Sequence, residues 1–304
     1  MKLVNYGSPG AEQPGVLGDE GGILPLAGLW RSLGLPSVEM NGVIGLLPYV
    51  RSRIEQELRD AVDLIDASSV RLGPPVPHPG RIIVCGVNYR SQVDEQRERT
   101  GGRPPRRPPV VLRPGVSGPT DPVVAWDGIT ELEYEGELVA VIGRRVRSIA
   151  VERALEAVAG YMCGQDMISR SMMREDADIS ALYLQPTRAK GVDTFCPTGP
   201  WLTTADEVPD YRALALSTWV DDELRQHALA DEMIMGLPEL ISWLSGTMTL
   251  FPGDLVFTGT PAGLGGSFDP PRELVPGQIL RTAITGLGEL VNPIVGEDTY
   301  RARE

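Results

Sequence analysis

The chain has 304 residues, with Arg far outnumbering Lys (only Lys2 and Lys190), two His (His78 and His227), and 28 basic against 41 acidic side chains for a formal net charge of −13. That balance repels phosphate backbones and anionic bilayers, so nucleic acid and membrane surfaces are excluded as partners. A hydrophobic content of 42% with 23% charged residues fits a globular chain that buries its own core without staples, while 35 Gly and 27 Pro favour short strands and turns.

Residues 1–45 are Gly-rich, and their short apolar runs at 21–35 and 43–50 predict short strands and turns. Val50, Ile54, Leu58, Val62 and Ile65 recur at spacings of four and three, which predicts a helix. The stiff segment 73–80, with Pro74, Pro75, Pro77 and Pro79, ends that helix and marks a domain boundary, giving a small domain at 1–75 and a larger one at 76–304. Residues 81–87 form a β-branched run closed by turn chemistry and read as a buried strand. The Pro-dense stretch 101–125 carries Arg103, Arg106 and Arg107, a solvated basic loop on the ordinary reading and an anion clamp on the alternative. Residues 138–142 predict a second buried strand, 151–160 a short helix closed by Gly160, and 237–244 a helix started around Pro238. Cys85, Cys163 and Cys196 form no C-x-x-C pair, so no disulfide framework or Cys-based zinc site is expected, and a reducing cytoplasm suits them. The start lacks an apolar signal-like run, and no apolar stretch reaches the ~20 residues of a membrane span. With no G-x-G-x-x-G after a strand and too few alternating helices for a doubly wound sheet, the expected class is α+β, dominated by strands.

Hard divalent cations seek several oxygen ligands on rigid elements. Glu135-Gly136-Glu137 enters the strand at 138–142, and residues i and i+2 of an extended chain project to the same face. Asp166, at the end of a later apolar run, is a third candidate. An E-x-E on a solvated strand face is the ordinary alternative, but Glu131 and Glu133 share the same parity, so four acids on one side would repel one another unless a cation relieved them. Lys190 is notable in a chain whose other cations are almost all Arg. It is either a surface residue or a position that needs a compact, deprotonatable ammonium.

Taken together, the blocks Gly86-Val87-Asn88-Tyr89-Arg90 with Glu95, Glu135-x-Glu137-Leu138, Gly160-Tyr161 leading to Asp166 and Arg170, Lys190-Gly191-Val192-Asp193-Thr194-Phe195, Glu223-Leu224-Arg225-Gln226 and Thr258-Gly259-Thr260-Pro261 resemble the fumarylacetoacetate hydrolase family in order and spacing over roughly residues 80–265. The resemblance implies a small N-terminal β-rich domain, a larger domain with a mixed β-sandwich roll, and a homodimer. It implies Mg²⁺, or Mn²⁺ or Ca²⁺, held by Glu135, Glu137 and Asp166 against the oxygens of a small-molecule 2-oxo or 2,4-dioxo acid. Lys190 would then stabilise the developing oxyanion, and Arg90, Arg170 and Thr260 would contact substrate.

The chain departs from the family pattern at several positions. Hydrolytic members follow G-x-N-Y-R with H-x-x-E, a pair that activates water, whereas here the His position is Gln92 ahead of Glu95. A Gln amide cannot take up a proton near neutral pH. The continuation after the metal Asp reads Arg170-Ser171-Met172-Met173, the Lys of a Phe-x-Lys-Pro loop is Arg113, and a Thr near a hairpin tip is Ala230. Intact metal acids beside altered substrate-facing segments point to non-hydrolytic chemistry: decarboxylation, tautomerisation or elimination. Hydrolysis with Glu95 as base, or with His227 brought over the site, is the alternative, and a binding or structural homologue is the third reading.

Overall fold

Residues 138–142 are apolar at every position because both of their faces are covered. Leu138, Ala140 and Ile142 pack with Tyr161, Ile241 and Leu244 in one cluster. Val139 and Val141 pack with Met162, Leu255 and Phe257 in another, which also takes in Leu3, Val16 and Ile54 from the N-terminal segment.

The computed structural model describes residues 1–35 and 39–302. The N-terminal segment carries β1 (Lys2–Tyr6), β2 (Gln13–Leu17), β3 (Gly22–Pro25), α1 (Leu26–Ser32), α2 (Met40–Asp60), β4 (Ile65–Asp66) and β5 (Leu72–Gly73). Next come β6 (Ile82–Cys85), α3 (Arg90–Thr100), β7 (Val110–Arg113), β8 (Val123–Ala125), β9 (Leu132–Glu133) and β10 (Gly136–Ile142). They are followed by β11 (Val158–Gln165), β12 (Ile168–Ser169), α4 (Arg170–Met173), α5 (Pro186–Lys190) and β13 (Thr198–Thr204). The chain continues through β14 (Ala215–Val220), β15 (Glu223–Leu229), α6 (Leu237–Thr247), β16 (Leu255–Phe257), β17 (Ile279–Ile284), β18 (Gly288–Gly296) and α7 (Glu297–Arg301).

Among the described residues one sheet runs β4-β3-β2-β1-β13-β11-β10-β16-β6-β7, with β5 also on β1, and a second runs β15-β14-β17-β18-β8. The fold is therefore α+β with mixed sheets, as expected. Strand β1 pairs antiparallel with β13 through Lys2↔Thr203 and Leu3↔Leu202, so the sheet and one core cluster pass continuously across the 73–80 segment.

Two expectations are corrected. Residues 26–32 and 43–50, expected as strands and turns, are helical, and α2 begins at Met40 and ends at Asp60. Met40, Val43, Ile44, Leu47, Val50 and Ile54 are its buried positions, a helical spacing that starts ten residues before the expected one, while Val62 is 93% exposed and Ile65 belongs to β4. Pro48 is tolerated inside α2 because it lies on the exposed side. The second correction concerns residues 151–160: Val151–Ala157 is a 3₁₀ turn, and Gly160 lies inside β11 rather than closing a helix. A Cβ at Gly160 would stand 2.1 Å from the Thr203 carbonyl oxygen of β13, so this glycine serves close backbone approach. The strand at 82–85, the strand at 136–142 and the helix started around Pro238 form as expected.

Gly160→Ala should accordingly destabilise the protein by about 1–3 kcal/mol through overpacking against a backbone that cannot yield. Gly246→Ala, in α6 with open space around its Cβ position, should be neutral or stabilising by up to about 1 kcal/mol. Urea unfolding of both variants checks the contrast, and equal effects would refute the close-approach assignment.

Candidate active site

The antiparallel register of β10 with β11 pairs Gly136 with Gln165, which leaves Glu135 and Asp166 side by side just beyond the ladder. The Asp166 amide donates to the Glu135 carbonyl at 2.9 Å, locking that neighbourhood. Glu137 enters from the next inward position of β10. One carboxylate oxygen each of Glu135, Glu137 and Asp166 lies within 4.8 Å of the others, and all three residues are buried. Only glycine fits between the two glutamates, since a Cβ at Gly136 would stand 2.2 Å from Thr218 Oγ1 of β14. Neutral amides complete the frame: Gln165 Oε1 accepts from the Glu135 amide at 2.9 Å, and Gln226 Oε1 from the Gly136 amide at 3.0 Å.

Three buried carboxylates in contact are costly without compensating charge. Lys190 Nζ donates to Glu135 Oε2 at 2.8 Å and to Asp166 Oδ2, and Arg113 Nη1 donates to Asp166 Oδ1. Arg170 reaches Glu135 Oε1 with Nη2 at 3.2 Å while its Nε holds Glu133. Burial pushes the Glu135 carboxyl up against the pull of Lys190. Glu137 lies well above the usual carboxylate range, first because it is buried and then because Asp166 and Glu135 face it. Burial disfavours the Lys190 ammonium, but Asp166 and Glu135 outweigh that and raise its pKa.

A loop and a helix face this cluster. The Gly259 amide donates to Glu137 Oε2 at 2.7 Å, and four residues on the Gly263 amide donates to Glu95 Oε1 at 2.9 Å, so the 258–263 loop ties α3 to the acids. Gln92 and Glu95 sit three residues apart on α3, hence on neighbouring positions of one helical face. Gln92 Oε1, Glu95 Oε2 and Glu137 Oε1 are buried with no hydrogen-bond donor. Thr260 Oγ1 accepts from Gln226 Nε2 at 2.8 Å, which leaves its own proton to donate elsewhere.

A sequence profile described as fumarylacetoacetate (FAA) hydrolase C-terminal matches residues 81–295. The chain belongs to the fumarylacetoacetate hydrolase family. A Mycobacterium tuberculosis protein is 36% identical over 230 residues, covering 75% of this chain and 80% of the relative. Maleylpyruvate hydrolase from Sphingobium sp. SYK-6, solved in complex with manganese(II) ion and pyruvate, superimposes with a TM-score of 0.78 at 33% identity, covering 97% of this chain and 99% of the other. The 5-carboxymethyl-2-hydroxymuconate delta-isomerase of Mycobacterium smegmatis gives 0.72 at 28% identity, covering 98% and 99%. The carboxylate cluster fits a divalent cation of the kind seen in the manganese-containing relative, since three hard oxygen donors converge and Glu137 Oε1 has no other partner.

The structure brings together Glu135, Glu137, Asp166, Lys190 and Arg170, with Thr260, Gln92 and Glu95 linked to them through the 258–263 loop and α3. Arg90 is elsewhere: it is exposed and lines a separate cavity of about 590 Å³ with Tyr161, Tyr211 and Met233, which none of the three acids lines. The expected four-acid stack is corrected, because Glu133 turns to Arg170 and the Gly266 amide while Glu131, in a positive-φ conformation, pairs with Arg174. His227 points out of β15, its Nδ1 2.9 Å from Ser217 Oγ, whereas its neighbour Gln226 points in. The family pattern marks Arg113 as a departure on a substrate-facing segment but does not reveal that it clamps Asp166. Its signal in the sequence is a charged residue closing the β-branched run of β7, and its side chain is 1% exposed against Asp166. Among the described residues no helix is long and apolar enough to cross a membrane.

The raised carboxyls set the sign of a pH effect. A native carboxyl that keeps its proton above the ordinary range makes stability fall as pH rises through and beyond that range, since the unfolded chain has already released the proton. In EDTA-treated protein, wild type should therefore lose stability relative to Glu137→Gln as the pH rises above the ordinary carboxylate range. A divalent cation at a hundredfold excess over its Kd should add about 2.7 kcal/mol to wild type and much less to the variant. Thermal unfolding with and without Mg²⁺ or Mn²⁺ measures both, and parallel pH curves for the two proteins would contradict the assignment.

Proposed function

We propose that the chain is a divalent-metal-dependent enzyme, Mg²⁺ or Mn²⁺ being the natural ion, that acts on an enolisable 2-oxo or 2,4-dioxo carboxylic acid by decarboxylation, tautomerisation or elimination. The observation that supports this reading is one arrangement: a buried three-carboxylate cluster with Lys190 beside it, faced by a helix whose family His position is Gln92. Held by Glu135, Glu137 and Asp166, the ion would supply Lewis-acid polarisation of adjoining carboxylate and keto oxygens. Lys190 donates to the oxygen on which enolate charge develops, a donor most effective where water is excluded. Glu95 is the proton carrier. Its Oε1 is pinned by the Gly263 amide, so the free Oε2 is oriented to take a proton from the substrate carbon and return it. Gln92 cannot ionise, so it orients a substrate hydroxyl or carbonyl without removing its proton, and the Thr260 hydroxyl donates to a substrate oxygen. Arg170 stays on Glu133 and Glu135 and steadies the latter.

A second reading is hydrolysis of a carbon–carbon bond in an acylpyruvate with Glu95 alone activating water. The pinned Glu95 carboxylate favours it, as does similarity to a maleylpyruvate hydrolase. Incubation with oxaloacetate and with an acylpyruvate, with products read by NMR, separates the two. The first reading expects oxaloacetate to yield pyruvate and carbon dioxide, or the enol–keto ratio to relax faster, with the acylpyruvate chain left uncut. Pyruvate plus a second carboxylic acid from the acylpyruvate selects the second. Gln92→His should add or raise hydrolysis, and Lys190→Met should lower kcat by about 10²–10³-fold in either case.

A further inference from the structure

Asp166 carries a cation on each oxygen, and the two cations are anchored differently. Arg113 spreads its planar fork over three acceptors: Asp166 Oδ1, the Met167 carbonyl at 3.1 Å and the Phe195 carbonyl at 2.7 Å. Two of those are backbone groups that cannot leave, so Arg113 is fixed by the fold. Lys190 Nζ is held by Glu135 Oε2 at 2.8 Å and by Asp166 Oδ2, with only a long 3.4 Å contact to the Asp166 carbonyl besides. Nearly all of its anchorage is thus one oxygen each of Glu135 and Asp166, the other oxygen of each acid being held by Arg170 and Arg113. The ammonium also ends a flexible four-carbon stem, so it moves with little disturbance to α5.

We propose that Lys190 and the divalent cation compete for Glu135 Oε2 and Asp166 Oδ2, so that cation binding moves the ammonium off the carboxylates and frees it for a substrate oxygen, while Arg113 holds Asp166 in place. The proposal rests on the metal-dependent reading above and adds the trigger that arms its Lys. The exchange is favourable on charge and on ligand count. A dication replaces a single positive charge between buried acids, and it also gains Glu137 Oε1, which the ammonium leaves without a donor. Two like charges sharing the same oxygens in a buried site repel strongly, so the two occupants exclude each other. Lys190 then serves catalysis only when the cation is bound, and metal-poor protein keeps its acids neutralised rather than bare.

The scarcity of lysine makes the test direct. Expressed with lysine isotopically labelled at Cε, the protein shows only Lys2 and Lys190, and Lys2, whose Nζ lies 4.8 Å from the Trp201 ring centroid, is an internal reference. EDTA-treated protein is titrated with Mg²⁺ by calorimetry and NMR together, and the Lys190→Met variant assigns the resonance. The expected result is a Lys190 signal that shifts in step with calorimetric saturation while Lys2 stays still, with Lys190→Met binding Mg²⁺ about tenfold more tightly because its competitor is gone. A Lys190 signal unmoved at full Mg²⁺ saturation overturns the exchange and leaves the metal site standing, as does weaker Mg²⁺ binding by a folded Lys190→Met variant. Failure of wild type to bind Mg²⁺ or Mn²⁺ at all removes the metal-dependent reading and the exchange with it.

Discussion

The pairing of Gly136 with Gln165 across β10 and β11 fixes two carboxylates in contact at the end of a ladder whose flanks are packed on both faces. Everything else about the site answers that constraint. Glu135 and Asp166 cannot turn away, since the amide of one donates to the carbonyl of the other, and Glu137 follows on the same strand face. The protein therefore brings Arg113 from β7, Lys190 from α5 and Arg170 from α4 to the same point. Four buried acids, Glu133 included, face three bases there. The bases leave Glu137 Oε1 without a donor, so the centre still offers an oxygen ligand that a cation could take.

The division of labour among those bases follows from side-chain chemistry. A guanidinium suits a permanent clamp because its planar donors reach several fixed acceptors at once, as Arg113 does with two backbone carbonyls and Asp166. An ammonium suits a group that must change partners. Lys at position 190, in a chain that uses Arg almost everywhere, is the side chain the proposed exchange would require.

On the proposed reading, Gln92 would redirect the site without dismantling it. It keeps its place on α3 beside Glu95, whose carboxylate is still pinned through the 258–263 loop, so the geometry of the helix face persists while its capacity to take up a proton is halved. The loop couples the two halves mechanically, as Gly259 holds Glu137 and Gly263 holds Glu95.

Much of this was legible in the chain itself. The runs at 82–85 and 138–142 are unbroken and apolar because both faces are buried, and the E-x-E spacing places two acids on one face through strand geometry alone. Local pattern failed where burial by distant partners overrides propensity. Helix α2 forms through Gly42, Gly45 and Pro48 because Met40, Val43, Ile44 and Leu47 gain cover from the sheet, and Gly160 reads as a helix stop until the Thr203 carbonyl is seen against it. Charge pairing was the least legible feature. Glu131 and Glu133 share a strand parity with Glu135 and Glu137, yet Arg174 and Arg170 claim them from some forty residues away. The sequence by itself determined which groups are available to the site: the acids at 135, 137 and 166, one lysine at 190, and an amide at 92 that cannot titrate. Only the tertiary structure decided which charge meets which, because Coulomb attraction and desolvation depend on distance and burial, and packing sets both.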